Sequence, residues 1–153
     1  MTDRSELALQ LTAALVAAHA AVQRAGDRAF RAYGLSHRAH AALVAVDLGG
    51  PDGARPKEIA VELHVSRAAA TTFIQRLETK GLVETTPDSE DDRGVRVTLT
   101  RRGLEVLLRA GQLERRLAAR AIEGLPASSL ARTVHLLEEF QLRLEQKQIG
   151  VVH

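Results

Sequence analysis

Residues 55–103 read RPKEIAVELHVSRAAATTFIQRLETKGLVETTPDSEDDRGVRVTLTRRG, and this stretch decides the fold of the chain. Pro56 suits the first position of a short helix, because its missing N–H is a donor that a helix start leaves unpaired. Ser66 can cap a second helix, and Gly81 suits the left-handed residue that follows a helix end. The inward face of this second helix is predicted to carry apolar residues three or four positions apart: Ala70, Phe73, Ile74 and Leu77.

After Gly81 the period of the sequence changes from that of a helix to that of a strand. Residues 82–86 and 95–99 are rich in β-branched residues and predict the two strands of a hairpin. The connection 87–94 is polar and long for a hairpin tip, so we expect it to project into solvent. Two short helices followed by such a hairpin form a winged helix-turn-helix, which places its second helix in the major groove of DNA.

A long helix is predicted before this motif. Apolar residues recur every three or four positions from Leu7 to Ala29, and Gly34 ends the helix. Ser36 can cap a further helix over residues 37–48. A long apolar stripe at the end of a chain has little of its own domain to cover. We therefore expect part of this stripe to contact another chain.

Two helices are predicted after the hairpin. Thr100 can cap the first, which runs to about Glu123, and the second ends near Lys147. The second helix carries an apolar seam suited to a partner helix: Leu130, Val134, Leu137 and Leu144. The predicted fold class is mainly α with a small β-hairpin wing. Within the single chain 1–153, the winged helix-turn-helix covers 36–100, and dimerisation helices cover 5–33 and 104–147.

Composition limits the possible classes of protein. The chain has 153 residues, 45% hydrophobic and 26% charged, which fits one globular domain. It contains no Cys, which excludes disulfides, thiolate zinc sites and Cys nucleophiles. The N-terminus lacks the apolar core of a secretory signal, so a cytoplasmic location is expected. The most apolar stretch, 11–22, is shorter than a membrane span, and we expect no contact with a membrane.

The exposed face of the second helix of the motif suggests contacts with DNA. Arg67 can donate two hydrogen bonds to guanine, and Gln75 can pair with adenine. The free N–H groups at Ser66 favour a phosphate. Aromatic residues make up only 3% of the chain, which argues against a single-strand binder that stacks bases. The predicted contacts of this helix with double-stranded DNA are Ser66, Arg67, Thr71, Thr72, Gln75 and Arg76.

Four segments in this order resemble the MarR family of bacterial transcription regulators: RPKEIA at 55–60, RLETKGLV at 76–83, DSEDDR at 88–93 and VTLTRRG at 97–103. The resemblance implies a homodimer whose terminal helices interlock and whose two winged domains bind a pseudo-palindromic operator. It implies a repressor that a small, aromatic or anionic molecule releases from DNA. It also implies that the wing arginine, Arg93, enters the minor groove while Asp91 holds its side chain.

The chain departs from the family pattern at two positions. Asp92 stands where many relatives carry a second basic residue in the wing, and Thr72 stands where a basic residue is common. Four acids, Asp88, Glu90, Asp91 and Asp92, therefore surround Arg93 in the sequence. Because these acids repel phosphate, we expect modest non-specific affinity for DNA and a shallow salt dependence.

The effector site is predicted where the first helix meets the second. An arginine there can hold a carboxylate through two hydrogen bonds, and a histidine can bind a phenol or respond to pH. The candidate lining residues are His19, Arg28, Arg31, His37 and His40, with Arg24 and Arg38 beside them. No catalytic motif is present, so we expect neither an enzyme nor a bound cofactor.

Two alternatives stay open from the sequence alone. The chain could be a winged-helix interaction protein whose acidic wing binds DNA only weakly. It could also be a metal-responsive regulator, because His37 and His40 lie three residues apart on a helix and could share a divalent ion.

Overall fold

The fold is a winged helix-turn-helix flanked by longer helices, as predicted. A computed structural model describes residues 3–146, except for the side chains of Asp92 and Arg93. The predicted end of the last helix near Lys147 lies outside these residues. The helices are α1 (Arg4–Phe30), α2 (His37–Asp47), α3 (Pro56–Glu62), α4 (Arg67–Thr79), α5 (Arg101–Ala121) and α6 (Ala127–Gln146). The wing consists of the antiparallel strands β1 (Val83–Asp88) and β2 (Asp91–Leu99), and short 3₁₀ turns lie at Arg31–Tyr33 and Gly50–Asp52.

Three predicted helix caps are confirmed. Ser36 Oγ accepts the N–H of Ala39 at 3.1 Å, and Ser66 Oγ accepts the N–H of Ala69 at 3.2 Å. Thr100 Oγ1 accepts the N–H of Gly103 at 3.0 Å. A capping side chain satisfies one of the four N–H groups that each helix start leaves without a partner. These local rules therefore fix where α2, α4 and α5 begin.

The predicted polar connection of the hairpin is wrong in its length. β1 continues to Asp88 and β2 begins at Asp91, so only Ser89 and Glu90 form the turn instead of residues 87–94. Asp88 pairs with Asp91, and a register shift lies between Pro87 and Asp88. The polar residues stay in strands because the Asp88 carboxylate accepts the N–H of Glu90 at 3.0 Å and pairs with two arginines.

The base of the wing is joined to the segment that precedes α3. Ala54 and Val97 exchange two backbone hydrogen bonds, each of 2.9 Å. Val97 is fully buried, and Ala54 is nearly so. The wing therefore has a short third partner at its base, which a two-stranded hairpin needs for stability in water.

One hydrophobic core holds the helix-turn-helix, the wing and the first half of α5 together. Its largest fully buried side chains are Phe30, Leu43, Ile59, Leu77, Leu82, Val46, Val83 and Val97. The chain divides into two compact units, of which the first ends at Arg115 and the second begins at Arg116. Described residues 116–146 contain no buried side chain. On α6, the predicted apolar seam is exposed at Val134 and Leu144 and half-buried at Leu130 and Leu137.

Most of α1 also lacks a covering surface. Only Gly26 and Phe30 are buried, while Leu7, Leu11 and Val22 are exposed. The expectation that the most apolar stretch is too short to span a membrane is wrong for the helix as a whole. By length and composition alone, the continuous helix Arg4–Tyr33 is long and apolar enough to do so. The reason is that alanines extend the apolar window beyond 11–22. A helix that packs its apolar face on a second chain has the same composition.

Candidate nucleic-acid interface

The polar face of α4 is free to meet a partner. Ala70, Ile74 and Leu77 are buried and Phe73 is half-buried, which confirms the predicted inward face. All six residues predicted to contact DNA from this helix are exposed: Ser66, Arg67, Thr71, Thr72, Gln75 and Arg76. The sequence period thus predicted correctly which side of α4 points away from the core.

The two threonines of this face have hydroxyl groups that already bond to the helix. Thr71 Oγ1 donates to the carbonyl of Arg67, and Thr72 Oγ1 donates to the carbonyl of Ala68, each at 3.0 Å. Because both hydroxyl hydrogens are used in this way, the two side chains can contact DNA through their methyl groups and through the lone pairs of their oxygens. Methyl groups suit contact with the methyl group of thymine, and oxygen lone pairs suit the amino groups of cytosine or adenine.

The turn before α4 adds a residue that the sequence analysis did not assign. His64 is exposed and has a positive φ of 51°, a backbone angle that residues other than Gly seldom adopt. It lines an open groove between α3 and α4 together with Lys57 and Arg67. The sequence did not point to His64 as a site residue, because it belongs to no ligand pattern there.

An ionic cluster lies where the wing turns. Arg55 Nε donates to Asp88 Oδ2 at 2.6 Å, and the Arg55 Nη2 donates to Glu90 Oε2 at 2.6 Å. Arg96 contacts the same two oxygens, with Nε 3.2 Å from Asp88 and Nη2 3.1 Å from Glu90. We call these four residues the wing cluster. Hydrogen bonds from Arg55 and from the backbone of Glu90 hold the pKa of Asp88 well below its usual range.

The wing cluster changes the expected charge of the wing. The sequence places four acids beside Arg93, but Asp88 and Glu90 each pair with two arginines. Hydrogen bonds to these carboxylates also raise the pKa of Arg55. The count of four acids therefore overstates the charge that would repel phosphate. Neither arginine was singled out from the sequence. Arg55 lies 33 residues from Asp88, and Arg96 was expected in the second strand, apart from a polar loop that held the acids.

A cleft of about 520 Å³ separates the wing from α4. It is lined by Arg55, Lys57, Arg67 and Thr71 on one side and by residues of the wing on the other. Asp91 is exposed at the start of β2. The backbone of Arg93 lies in β2, and its side chain is outside what the structure describes. The predicted roles of Asp91 and Arg93 stay predictions.

A second group of polar side chains lies at the start of α2. His37 Nε2 is 3.6 Å from Glu114 Oε1, and His40 Nδ1 is 3.5 Å from Glu114 Oε2. The ring of Phe30 stacks on His37 and packs at 4.5 Å against His40. We call His37, His40, Glu114 and Phe30 the histidine cluster. Burial lowers the pKa of His40, and His37 lowers it further, while the carboxylate of Glu114 partly opposes this shift.

The histidine cluster contains only two of the predicted effector residues. His19, Arg28 and Arg31, together with Arg24 and Arg38, are exposed on the surface. Glu114 and Phe30 were not predicted as site residues, since their contact with α2 depends on packing between distant segments. Among residues 3–146, no group of three or more His, Cys, Asp or Glu side chains is arranged to hold a metal ion.

Comparison with known sequences gives a family match over part of the chain. Residues 33–94, which include α2, α3, α4 and most of the wing, match the sequence pattern of the MarR family. This segment is therefore similar to a MarR-family domain. A curated relative, the HTH-type transcriptional repressor IacR of Pseudomonas putida, is 31% identical over 81 residues. The aligned segment is 53% of this chain and spans about half the length of IacR, 48%.

Solved structures share the fold beyond the matched segment 33–94. The regulator BldR of Sulfolobus solfataricus has a TM-score of 0.83, 24% identity, and coverage of 94% of this chain and 100% of its own. A mutant of MarR from E. coli complexed with operator DNA has a TM-score of 0.80, 24% identity, and coverage of 91% and 99%. CouR from Rhodococcus jostii bound to p-coumaroyl-CoA has a TM-score of 0.73, 22% identity, and coverage of 82% and 87%.

Proposed function

We propose that this chain is a transcription regulator that binds a specific sequence of double-stranded DNA and is not an enzyme. The observation that carries the proposal is the exposed polar face of α4, which includes Gln75 and on which Arg67 lines the cleft to the wing. Arginine and glutamine side chains at such a face read guanine and adenine in the major groove. The operator complex of the MarR mutant, which shares the fold, supports this reading. Because a regulator of this kind acts on DNA, we expect the protein in the cytoplasm.

The acting form is a homodimer on a pseudo-palindromic operator. Apolar side chains are exposed on three helices: Leu7, Leu11 and Val22 on α1, Leu104, Leu108 and Leu117 on α5, and Val134 and Leu144 on α6. A monomer seldom exposes this many large apolar residues on long helices, and contiguous exposed apolar surface marks interfaces. A second copy of the chain would cover these faces and place two α4 helices on two half-sites.

The regulator is a repressor that a small molecule releases from DNA. IacR is named as a repressor, and CouR is bound to p-coumaroyl-CoA, so both properties occur among proteins with this fold. The histidine cluster is the place where we expect a small acid or phenol to bind, because His37 and His40 have buried ring nitrogens without a partner in the described structure. Arg28 and Arg31 lie nearby in the sequence and offer charge to a carboxylate.

The proposal is tested with purified protein and the DNA that flanks its own gene. Binding is titrated against a random duplex of equal length at several salt concentrations, since affinity for DNA depends steeply on salt. We expect a preference for the flanking DNA of about a thousandfold or more. Equal or negligible binding to both duplexes would contradict the proposal and favour a winged-helix protein that binds other proteins.

Single substitutions then assign the reading face. Arg67→Ala should weaken binding to the preferred sequence by about tenfold or more, since a good bidentate base contact contributes about 1–3 kcal/mol. Arg109→Ala removes the same charge from the exposed surface of α5 and serves as the matched control. Gln75→Ala should change which sequences bind. A loss that is equal for Arg67→Ala and Arg109→Ala would show that only overall charge matters.

A further inference from the structure

The wing cluster ties the tip of the wing to the start of α3. Asp88 is almost completely buried, and its carboxylate receives both Arg55 and Arg96. Glu90 is exposed, with 68% of its side chain accessible, yet one of its oxygens bridges the same two arginines. The two guanidinium groups therefore lie side by side, and each is held by one buried and one exposed carboxylate.

Both arginines are themselves anchored outside the wing tip. Arg55 precedes α3, and its N–H donates to the carboxylate of Glu58 at 2.8 Å, which fixes the start of that helix. Arg96 Nη1 donates to the carbonyl of Gly53 at 3.2 Å. The chain from Gly53 to Glu58 is thus attached to the hairpin by the two ion pairs of Arg55 and by the hydrogen bond from Arg96 to Gly53, in addition to the backbone pairing at the base. The other two ion pairs, from Arg96 to Asp88 and Glu90, lie within the hairpin.

This attachment limits how the hairpin can move. A two-stranded hairpin without further contacts is marginally stable, and its tip would pivot about the base. The wing cluster lies at the tip and connects it directly to the helix-turn-helix. Because charged hydrogen bonds between planar groups have strict geometry, the cluster fixes the direction of the wing relative to the start of α3.

We propose that Asp88 and Glu90 are positioning residues for DNA binding, which through Arg55 and Arg96 hold the wing in the place where it meets the duplex. The inference rests on the proposed function. It runs against the ordinary effect of charge, since a carboxylate close to DNA repels phosphate and its removal should strengthen binding. Positioning predicts the opposite sign, because an untethered wing must lose freedom of movement when DNA binds.

Glu90→Ala is the principal test variant, because Glu90 is exposed and its loss leaves the core intact. Asp88→Asn tests the buried carboxylate. The matched control is Asp52→Asn, which removes one negative charge from an exposed residue outside the wing cluster. We expect Glu90→Ala and Asp88→Asn to weaken binding to the preferred duplex by about tenfold, the effect of losing one good contact, whereas Asp52→Asn leaves binding equal or slightly stronger.

The same substitutions in an Arg93→Ala background show whether the effect passes through the wing. If Glu90 acts by placing the wing, its removal should have little further effect once the wing arginine is absent, so the two changes are not additive. Unchanged or tighter binding by Glu90→Ala overturns the proposal. Full additivity with Arg93→Ala overturns it as well. If Asp88→Asn does not fold, Glu90→Ala decides alone.

Amide hydrogen exchange of the free protein separates this proposal from the proposed function. We expect Glu90→Ala to speed exchange in the hairpin, residues 83–99, by about tenfold relative to the wild type, while α2 and α4 stay unchanged. Unchanged exchange in the hairpin overturns the positioning role whether or not DNA binds. Failure of the wild type to prefer any duplex would instead refute the proposed function, and with it the role in DNA binding.

Discussion

Substitution of Gly103 by Ala should destabilise the protein severely for so small a change. An added Cβ at Gly103 would lie 1.9 Å from the carbonyl oxygen of Leu82, which is a backbone atom and not the end of a flexible side chain. The start of α5 must then move away from the turn that follows α4. That movement breaks two hydrogen bonds, from Thr100 N–H to Leu82 at 3.1 Å and from Thr100 Oγ1 to Gly81 at 2.8 Å.

The expected cost follows from opposing terms. Two lost hydrogen bonds cost about 2 kcal/mol, and the strain of overpacking costs about 1–3 kcal/mol. Alanine in place of glycine in a helix returns up to about 1 kcal/mol. The net loss of unfolding free energy is about 2–4 kcal/mol, which lowers Tm by roughly 5–15 °C for a chain of this length.

Urea and thermal unfolding followed by circular dichroism measure this loss. Gly111→Ala is the matched control, because Gly111 lies in the same helix and its added Cβ would meet only Arg115 Nη1 at 3.7 Å. The unfolding free energy of this control should be unchanged or higher by up to about 1 kcal/mol. If Gly103→Ala were as stable as Gly111→Ala, the close approach of α5 to the turn after α4 would be refuted.

Three further predictions concern histidines. Burial lowers the pKa of His40, so the unfolded chain takes up a proton at a higher pH than the folded chain does. The unfolding free energy should therefore fall as pH decreases below about 6.5. In His40→Phe, the urea midpoint should depend less on pH between pH 8 and pH 5. Gly26→Ala places a Cβ 2.3 Å from Cδ2 of His37 and should shift the imidazole resonances of that ring in NMR spectra. An unshifted spectrum would contradict the close packing of His37 on Gly26. His64→Gly relieves a left-handed backbone and should raise the unfolding free energy by up to about 1 kcal/mol, and a lower urea midpoint would count against strain there.

The parts of the fold that follow local rules were predictable from the sequence. Pro56, Ser36, Ser66 and Thr100 marked helix starts, and each helix begins at or directly after the expected residue. Gly81 takes the left-handed conformation, with φ of 65°, that the end of α4 requires. In each case one residue and its neighbours within four positions determine the structure, so no knowledge of the tertiary fold is needed.

The parts of the site that depend on distant contacts were not predictable. The polar run 87–94 predicted a loop because polar residues seldom form strands without partners. Its partner Arg55 is 33 residues from Asp88, and spacing in the sequence does not identify such a pair. Glu114 was missed for the same reason. The exposed face of α4 was predictable because helical periodicity also predicts which side faces away from the core.

The arrangement of contacts explains how events at the histidine cluster could reach the DNA-binding face. Glu114 belongs to α5, and the start of the same helix is held against the turn after α4 by Thr100 and Gly103. A second link joins the end of α4 to the turn before α2, where Lys80 Nζ donates to the carbonyl of Gly34 at 2.9 Å. Any ligand or proton that changes the contact of Glu114 with the histidines therefore acts on a helix whose start is bonded to the turn after α4. Because packed helices shift as units instead of deforming, we expect a change at the histidine cluster to reach the end of α4 as a movement of the start of α5.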